Sequence, residues 1–455
     1  KDGFKGSTAF TGLRTIAASA TDTFMAALEE KLSSSIPGLR KELQSILKQH
    51  GPRKLSEATV EQAVGGLRSV HGLLCDTSEV DPNRGLLIRG RPISELTNML
   101  PEEIFYFLLT GDMPDTAALK SLQADFRKRA DVPEHVWTVI NAVAEDAHPM
   151  RVLSIATLSL GTESVFRKRY DEGMKKDEFW VAALEDTLTL LARLPQIAAA
   201  IYRRKYKLGR RIPSDPKLDW AADYAQMLGL PDPKGDLTKL MRLYMTLHCD
   251  HEGGNASAFT SHVVSSTLSD PYYAVSAGFN ALAGPLHGLA NQECLEFVLS
   301  IQKKFKGVPT PDQMREYCWD VLNSGRVIPG YGHAVLRVTD PRFTAFHQFG
   351  KLVCPNDEVF KIVDLGFQII PEVLKKQGKA KNVMPNVDAG SGALLYHFDI
   401  TQDTYYTVFF AVSRALGLLA QLVLDRALLI PLTRPKSFTT AWLRNFVKQG
   451  ETTGA

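Results

Sequence analysis

Cysteine is scarce in this chain: only five occur among 455 residues, and no two of them form a CxxC pair. The number is odd and the residues lie far apart in the sequence. This usage argues against a disulfide-stabilised secreted domain and against a metal site built on cysteine. We expect free thiols in a reducing compartment.

No charge of one sign predominates. Lysine and arginine together number 53 against 50 aspartates and glutamates, which leaves a formal net charge of +3. Such a balance gives no electrostatic reason to expect a nucleic-acid partner. Hydrophobic residues at 44% and charged residues at 23% are typical of a globular protein.

An uninterrupted membrane span is also missing. The apolar stretch Thr407–Leu424 is long enough to cross a bilayer, but Arg414 lies in its middle and Gln421 near its end. A central arginine is costly in lipid. The stretch therefore predicts a buried helix of a large globular protein, with no membrane partner.

Strand signals are few, and neither a glycine-rich dinucleotide loop nor a repeating strand–helix pattern occurs. This argues against a Rossmann domain. Apolar residues over 184–194 and 359–373 recur at helical spacing, and Pro195 predicts a kink or break after the first run. Residues 77–80 and 86–88 flank a turn and predict one small hairpin. The predicted fold class is all-α, with at most this minor β-hairpin.

Polar residues suited to chemistry concentrate in four segments, of which Gly284–Glu293 is the most informative. It places His287 between glycines, after Pro285, at the expected start of a helix. Backbone N–H groups and the positive end of a helix dipole favour the neutral ring there. A neutral imidazole can stabilise a developing enolate by donating a hydrogen bond. The alternative is a buried histidine satisfied by the backbone of a tight turn.

The segment His248–Asn255 holds two histidines, His248 and His251, that could be metal ligands. However, Gly253 and Gly254 would end a helix directly after them, and no third ligand is obvious nearby. A structural or substrate-binding role is therefore favoured over a metal site.

Further along the chain, His333 follows two glycines and precedes Arg337 and Arg342. Glycines allow close approach of the backbone to a ligand, and neighbouring arginines favour a neutral imidazole that can polarise an oxygen. The alternative is a basic surface loop. Asp388, in the segment Asn382–Gly392, suits a general base, the alternative being a helix N-cap.

Arg414 strengthens the functional interpretation because a guanidinium stays charged and is expensive to bury without a partner. On such an apolar helix it needs an anion, either a protein carboxylate or a substrate carboxylate held in bidentate geometry. Arg342 and Arg434 could belong to the same anion site.

Together, the four segments resemble the motifs of the citrate synthase family, in that family's order and at compatible spacing. They are His248–Asn255, Gly284–Glu293, Pro329–Arg337 and Pro385–Asp388. The resemblance is to the eukaryotic mitochondrial type and covers about Ala20 to Val447. It implies condensation of acetyl-CoA with oxaloacetate through an enol, then hydrolysis to citrate and CoA, without a metal or other cofactor. The alternative is 2-methylcitrate synthase, which acts on propionyl-CoA.

The resemblance also implies residue roles. Asp388 would remove a methyl proton from acetyl-CoA, His287 would stabilise the enol, and His333 would polarise the ketone of oxaloacetate. The residues implied to bind the dicarboxylate are His251, Asn255, Arg342, Arg414, Arg434 and Phe410, with Arg434 supplied across a homodimer. Those implied to bind CoA are Arg68, Lys176, Val327, Ile328, Gly330, Tyr331 and Arg337. Lys176 stands where the family has an arginine, which keeps the charge but loses the bidentate fork.

A chain of this length usually forms more than one domain. The resemblance implies a large helical domain over 21–288 and 393–455, and a small domain over 289–392 that closes over the cleft. Residues 1–20 are basic and rich in Ser, Thr and Ala, as in the remnant of a transit segment. A disordered tail is the alternative. The expected location is the mitochondrial matrix.

Overall fold

The computed structural model describes residues 25–333 and 335–452, so the predicted N-terminal extension lies outside the described residues. This part of the chain contains nineteen α-helices and one small sheet, which confirms the all-α prediction. The first helices are α1 (Met25–His50), α2 (Val60–Val64), α3 (Pro101–Thr110), α4 (Thr116–Arg129), α5 (Glu134–Ala142), α6 (Pro149–Leu160), α7 (Val165–Asp171), α8 (Phe179–Lys205), α9 (Trp220–Leu228) and α10 (Asp236–Leu247). The others are α11 (Ala256–Ser266), α12 (Pro271–Leu282), α13 (Ala290–Phe305), α14 (Pro311–Asn323), α15 (Pro341–Val353), α16 (Glu358–Gln377), α17 (Asp388–His397), α18 (Tyr406–Leu428) and α19 (Thr440–Thr452).

The sheet consists of β1 (Ser78–Asp81), β2 (Gly85–Ile88) and β3 (Arg91–Pro92), antiparallel and in that order. The predicted hairpin is confirmed, with Val80 opposite Leu86. The third strand is too short to produce an alternating pattern in the sequence. Pro82, in the hairpin turn, accepts a hydrogen bond of 2.8 Å from the backbone N–H of Arg337, so the sheet supports the loop that carries His333.

Helices α8 and α18 pack together at the centre of the larger part of the molecule. The leucines of α8 predicted to share a face are buried. Of the kink or break expected at Pro195, the break is wrong, because the helix continues to Lys205. A proline removes one intrahelical hydrogen bond, and tight packing on both sides of it stabilises the continuous helix.

Helix α18 is the predicted buried helix. Among the described helices it has the length and apolar composition of a membrane span, yet 89% of its most apolar window is buried inside the protein. The loop between α10 and α11 lies directly on it, since the backbone N–H of Gly417 donates to the Cys249 carbonyl at 3.0 Å. A Cβ at Gly417 would come within 2.5 Å of that oxygen, so glycine permits this approach. The contact fixes residues 248–255 against α18.

Helices α13 to α17 pack mainly on one another and carry the loops that precede Arg342 and Asp388. The two loops are joined by backbone hydrogen bonds, from Asn386 N–H to Gly330 at 2.9 Å and from Asp340 N–H to Pro385 at 3.1 Å. His333 and Asp388 are therefore held in one rigid unit.

Candidate active site

His287 lies in a turn that precedes α13, and its backbone N–H donates to the Gly284 carbonyl at 3.0 Å. The expectation that it begins a helix is wrong, because α13 starts only at Ala290. The helix N-terminus beside it belongs to α11 instead: the backbone N–H of Ser257 donates to His287 Nε2 at 3.2 Å. The turn between Gly284 and Gly288 therefore places the His287 ring against the N-terminus of α11, a helix that precedes it in the sequence.

The protonation of His287 follows from this contact. Nε2 also lies 2.9 Å from Ser257 Oγ, a hydroxyl that can donate or accept. A backbone N–H can only donate, so the contact with Ser257 N–H assigns Nε2 as an unprotonated acceptor and places the proton of the neutral ring on Nδ1. Burial, and after it the charge of Arg414, lowers the pKa of His287 to about 4. At neutral pH His287 therefore presents an Nδ1–H donor.

His333 is held in the opposite tautomer. Its Nδ1 accepts hydrogen bonds from the backbone N–H groups of Val335 and Leu336, at 3.0 and 2.9 Å. The proton of the neutral ring must then lie on Nε2. Burial and the adjacent Arg342 lower the pKa of His333. The ring centroid of His251 lies 6.0 Å away, so two neutral imidazoles share one wall of the site.

Asp388 is the first residue of α17, and the N-cap position belongs to Val387. The alternative of a capping aspartate is therefore wrong. Within the described part of the chain, the carboxylate of Asp388 accepts no hydrogen bond, and burial raises its pKa to about 6, although the guanidinium of Arg342 lowers it. A carboxylate so poorly solvated is more basic than usual.

Arg342 is buried in the first turn of α15 and forms a bidentate ion pair with Asp340, with Nη2 and Oδ2 2.7 Å apart. The sequence analysis missed Asp340. The available signal was an aspartate before a proline, which is typical of a helix N-cap. The pair fixes the guanidinium of Arg342 beside His333 and Asp388.

Arg414 is buried on α18 and has no carboxylate within ion-pairing distance among the described residues. Its Nε donates to the His248 carbonyl at 3.0 Å and its Nη1 lies 3.4 Å from Asn255 Oδ1. Burial lowers its pKa to about 10. Arg426 on the same helix is also buried without an ion pair. What distinguishes Arg414 is its surroundings: a second guanidinium, Arg342, and the neutral His287.

Phe410 links these groups. The guanidinium carbon of Arg414 lies 4.7 Å from its ring centroid, and the His287 ring lies 6.1 Å away at a steep angle. Asn255 caps α11, and its Oδ1 lies 2.8 Å from Ser257 Oγ. The predicted residues His251, His287, His333, Asp388, Arg342, Arg414, Asn255 and Phe410 are therefore brought together.

Two groups behind the site were missed by sequence reasoning. Asp250 is buried and accepts from Thr77 Oγ1 at 2.5 Å, Ser78 Oγ at 2.9 Å and Gln421 Nε2 at 2.7 Å. It joins the sheet to α18 beneath the substrate loop. Ser257 orients His287. No local pattern marks either residue, because their partners are distant in sequence.

The predicted CoA residues are not gathered in the same way. Ile328 is 3% exposed, so its side chain belongs to the core, whereas Val327 is 80% exposed. Tyr331 pairs with Pro385 in an isolated β-bridge. Arg68 is exposed in the turn after α2, and Lys176 begins a short 3-10 helix packed on α8. Their contact with CoA stays a prediction, as does that of Arg337.

His248 and His251 do not form a metal centre with a third donor in the described ranges. The Nδ1 of His248 donates to the Tyr244 carbonyl at 3.1 Å, and its ring stacks on that tyrosine. Burial lowers the pKa of His248 to about 3, so the ring is neutral. His248 packs beneath Arg414 and Phe410.

Gly330 lies where the loop that carries His333 meets the loop that precedes Asp388. A Cβ there would lie 2.8 Å from Ala389 Cα, next to Asp388, and the residue has a φ of +79°. Gly325 has the same φ and open space around it. We expect Gly325→Ala to cost about 1 kcal/mol of unfolding free energy and Gly330→Ala about 1–3 kcal/mol more. Only Gly330→Ala should also lower kcat. Equal losses in denaturant unfolding and equal kcat for the two variants would contradict this packing.

Comparisons with known proteins identify the family of the chain. The family described as citrate synthase, C-terminal domain, matches residues 66–436. The chain is 45% identical over 434 residues to the mitochondrial citrate synthase of Saccharomyces cerevisiae, covering 93% of this chain and 90% of that protein. It is 45% identical over 432 residues to the mitochondrial citrate synthase of Daucus carota, covering 93% and 91%.

Solved structures give the same result. The citrate synthase from Pyrobaculum aerophilum matches with a TM-score of 0.74 at 30% identity, over 83% of this chain and 92% of that one. The citrate synthase from Thermotoga maritima MSB8 shares the fold, with a TM-score of 0.68 at 24% identity over 84% and 96%. The chain belongs to the citrate synthase family and is of its mitochondrial type.

Proposed function

We propose that the cluster of His287, His333 and Asp388 catalyses the condensation of acetyl-CoA with oxaloacetate, which gives citrate and CoA after hydrolysis. The observation that carries this proposal is the fixed, opposite tautomers of the two histidines beside a carboxylate of raised pKa. Each group has the protonation state that one step of the reaction requires.

Oxaloacetate is a dianion, and the pocket offers two buried guanidinium groups, Arg342 and Arg414. His251 and Asn255 complete the pocket with neutral polar groups, and Phe410 forms an apolar wall. Charge-assisted hydrogen bonds to carboxylates are strong in a poorly hydrated site. The dicarboxylate would therefore bind with its ketone near His333.

The first chemical step generates a nucleophile from the acetyl methyl group. Asp388 accepts a methyl proton while the thioester oxygen takes the proton of His287 Nδ1–H, which gives the enol. A thioester α-proton is weakly acidic, so base and oxygen-side donor must act together. Solvent-poor surroundings strengthen both effects.

The second step forms the carbon–carbon bond. The enol carbon attacks the ketone carbon of oxaloacetate, and Nε2–H of His333 donates to the ketone oxygen as negative charge develops there. The product is a citryl thioester. Water then attacks its carbonyl, the C–S bond breaks, and citrate and CoA leave.

Two structural features support the proposed homodimer. Arg434 is exposed and follows α18 on a segment without regular secondary structure. Phe438, Trp442 and Phe446, next to it, form an aromatic row that is 41–53% exposed. Such a row is typical of a protein interface. In this proposal Arg434 completes the anion site of the partner subunit.

We further propose that α13 to α17 form the small domain and close over the substrates. The boundary expected at 392 falls inside α17, which extends to His397. Closure would bring the CoA residues together and exclude water before condensation. The citrate synthases of Saccharomyces cerevisiae and Daucus carota to which the chain is 45% identical are named mitochondrial, and the location of this chain is the mitochondrial matrix.

The choice between acetyl-CoA and propionyl-CoA distinguishes this function from that of a 2-methylcitrate synthase. The similarity to citrate synthases does not favour the 2-methylcitrate assignment. In a CoA-release assay with oxaloacetate, we expect kcat/KM for acetyl-CoA to exceed that for propionyl-CoA by about 10- to 200-fold, the usual effect of one methylene. Higher kcat/KM with propionyl-CoA would make the 2-methylcitrate assignment correct.

The pH dependence follows from the pKa of Asp388, which burial raises to about 6. As pH falls through this value the carboxylate binds a proton and can no longer accept one from the methyl group. We expect kcat/KM for acetyl-CoA to fall on the acid side with an apparent pKa near 6. His287 and His251 stay neutral throughout this range. A profile flat down to pH 5 would contradict the role of Asp388.

A further inference from the structure

The segment 431–438 joins α18 to α19 and includes Arg434. Among the described residues, both hydrogen bonds that tie this segment to the helical body end on Thr433. Its backbone N–H donates to Ser266 Oγ at 3.1 Å, and its Oγ1 lies 2.7 Å from His262 Nε2. Both partners are on α11. The residue immediately before Arg434 is thus the anchored one.

Asp425 orients His262 from the side of the ring opposite Thr433. Its Nδ1 lies 2.8 Å from Asp425 Oδ2 on α18, and the two side chains are only 11% and 17% exposed. A carboxylate can only accept, so Nδ1 of His262 carries a proton. Nε2, on the other side of the ring, is left to hydrogen-bond with the hydroxyl of Thr433. Hydrogen bonds shielded from water in this way are stronger than surface ones.

Helix α11 also carries the contacts of the substrate pocket. Its N-cap, Asn255, accepts from Arg414, and the backbone N–H of Ser257 holds His287. An α-helix of this length is rigid and spans about 16 Å. Helix α11 therefore holds His287 at its first turn. Towards its other end it holds Thr433, through His262 and Ser266.

We propose that Thr433, held by His262 and Ser266, is a positioning residue for Arg434. Consecutive Cα atoms are about 3.8 Å apart, so fixing Thr433 fixes the point from which Arg434 extends. The anchor aims the guanidinium at the dicarboxylate pocket of the partner subunit. This inference rests on the proposed role of Arg434 across the dimer.

The test compares Thr433→Val, which keeps the shape but loses the hydroxyl, with Thr433→Ser, which keeps the hydroxyl. Both are assayed where sedimentation shows the same oligomer as the parent. We expect Thr433→Val to raise KM for oxaloacetate about three- to ten-fold, the effect of one lost hydrogen bond. Thr433→Ser should stay near the parent value. Loss of one shielded hydrogen bond should lower the unfolding temperature of Thr433→Val by no more than about 4 °C, so the protein stays folded in the assay.

A double-mutant cycle shows whether Thr433 acts through Arg434. In an Arg434→Ala background, Thr433→Val should raise KM no further. An equal rise in both backgrounds, or no rise with Thr433→Val alone, would overturn the positioning role while leaving Arg434 in the site. If Arg434→Ala itself leaves KM for oxaloacetate unchanged, the proposed role of Arg434 fails and the inference fails with it.

Discussion

Replacing Asp388 by Asn should lower kcat for citrate formation by about 10²- to 10⁴-fold, the usual contribution of a general base. Asn keeps the shape and burial of the side chain but cannot accept the methyl proton. Oxaloacetate binding, measured by calorimetry, should remain because Arg342 and Arg414 are unchanged. A CoA-release assay reports kcat.

The same variant should unfold at a higher temperature at pH 8. Since the pKa of Asp388 is raised on folding, its contribution to stability is greatest at low pH and is lost as pH rises through about 6. Asn stays neutral and avoids that loss. The matched control is Asp312→Asn, an exposed carboxylate in the first turn of α14. Near-normal kcat in Asp388→Asn would contradict the assignment of the base.

Arg414→Gln should have the second large effect, on substrate binding. Removing one member of a buried charge pair costs about 2–5 kcal/mol, which predicts a loss of kcat/KM for oxaloacetate of about 30-fold to several thousand-fold. The loss should appear mainly as a raised KM for oxaloacetate, because Asp388 and His287 keep their positions. Steady-state kinetics with saturating acetyl-CoA measures it.

Arg426→Gln is a closely matched control. Arg426 is buried on the same helix, donates to the Ser269 carbonyl at 2.9 Å and lies 4.9 Å from the ring of Phe166. Arg414 has the same kinds of partner, a carbonyl and an aromatic ring. Both variants lose a hydrogen bond to a carbonyl and a contact with an aromatic ring, but only Arg414→Gln should raise KM. A similar KM for both would mean that Arg414 is structural.

Some features behind these predictions follow from the sequence, whereas others are evident only in the structure. The helical pattern and the charge of Arg414 predicted a buried helix with a guanidinium inside it, and both are observed. Periodicity works there because one face repeats over many turns. The same reasoning placed a break at Pro195 and a helix start at His287, and both were wrong, since packing from distant segments decided them.

Local patterns also could not give the protonation of the histidines. For His287 the sequence indicated a neutral ring for a reason that involved the wrong helix, and the proton position depends on Ser257 in α11. Asp250 and Asp340 support the site through partners that sequence spacing does not reveal. Segments that resemble a family predict which side chains react, whereas the supporting contacts appear only in three dimensions.

Exchange of the methyl protons of acetyl-CoA tests the central claim most directly. In D2O, with a dicarboxylate that lacks the reactive ketone bound in place of oxaloacetate, the enzyme should incorporate deuterium into the methyl group without forming product. We expect Asp388→Asn to abolish this exchange while still binding both ligands, and Asp312→Asn to retain it. Exchange at the parent rate in Asp388→Asn would show that another group removes the proton.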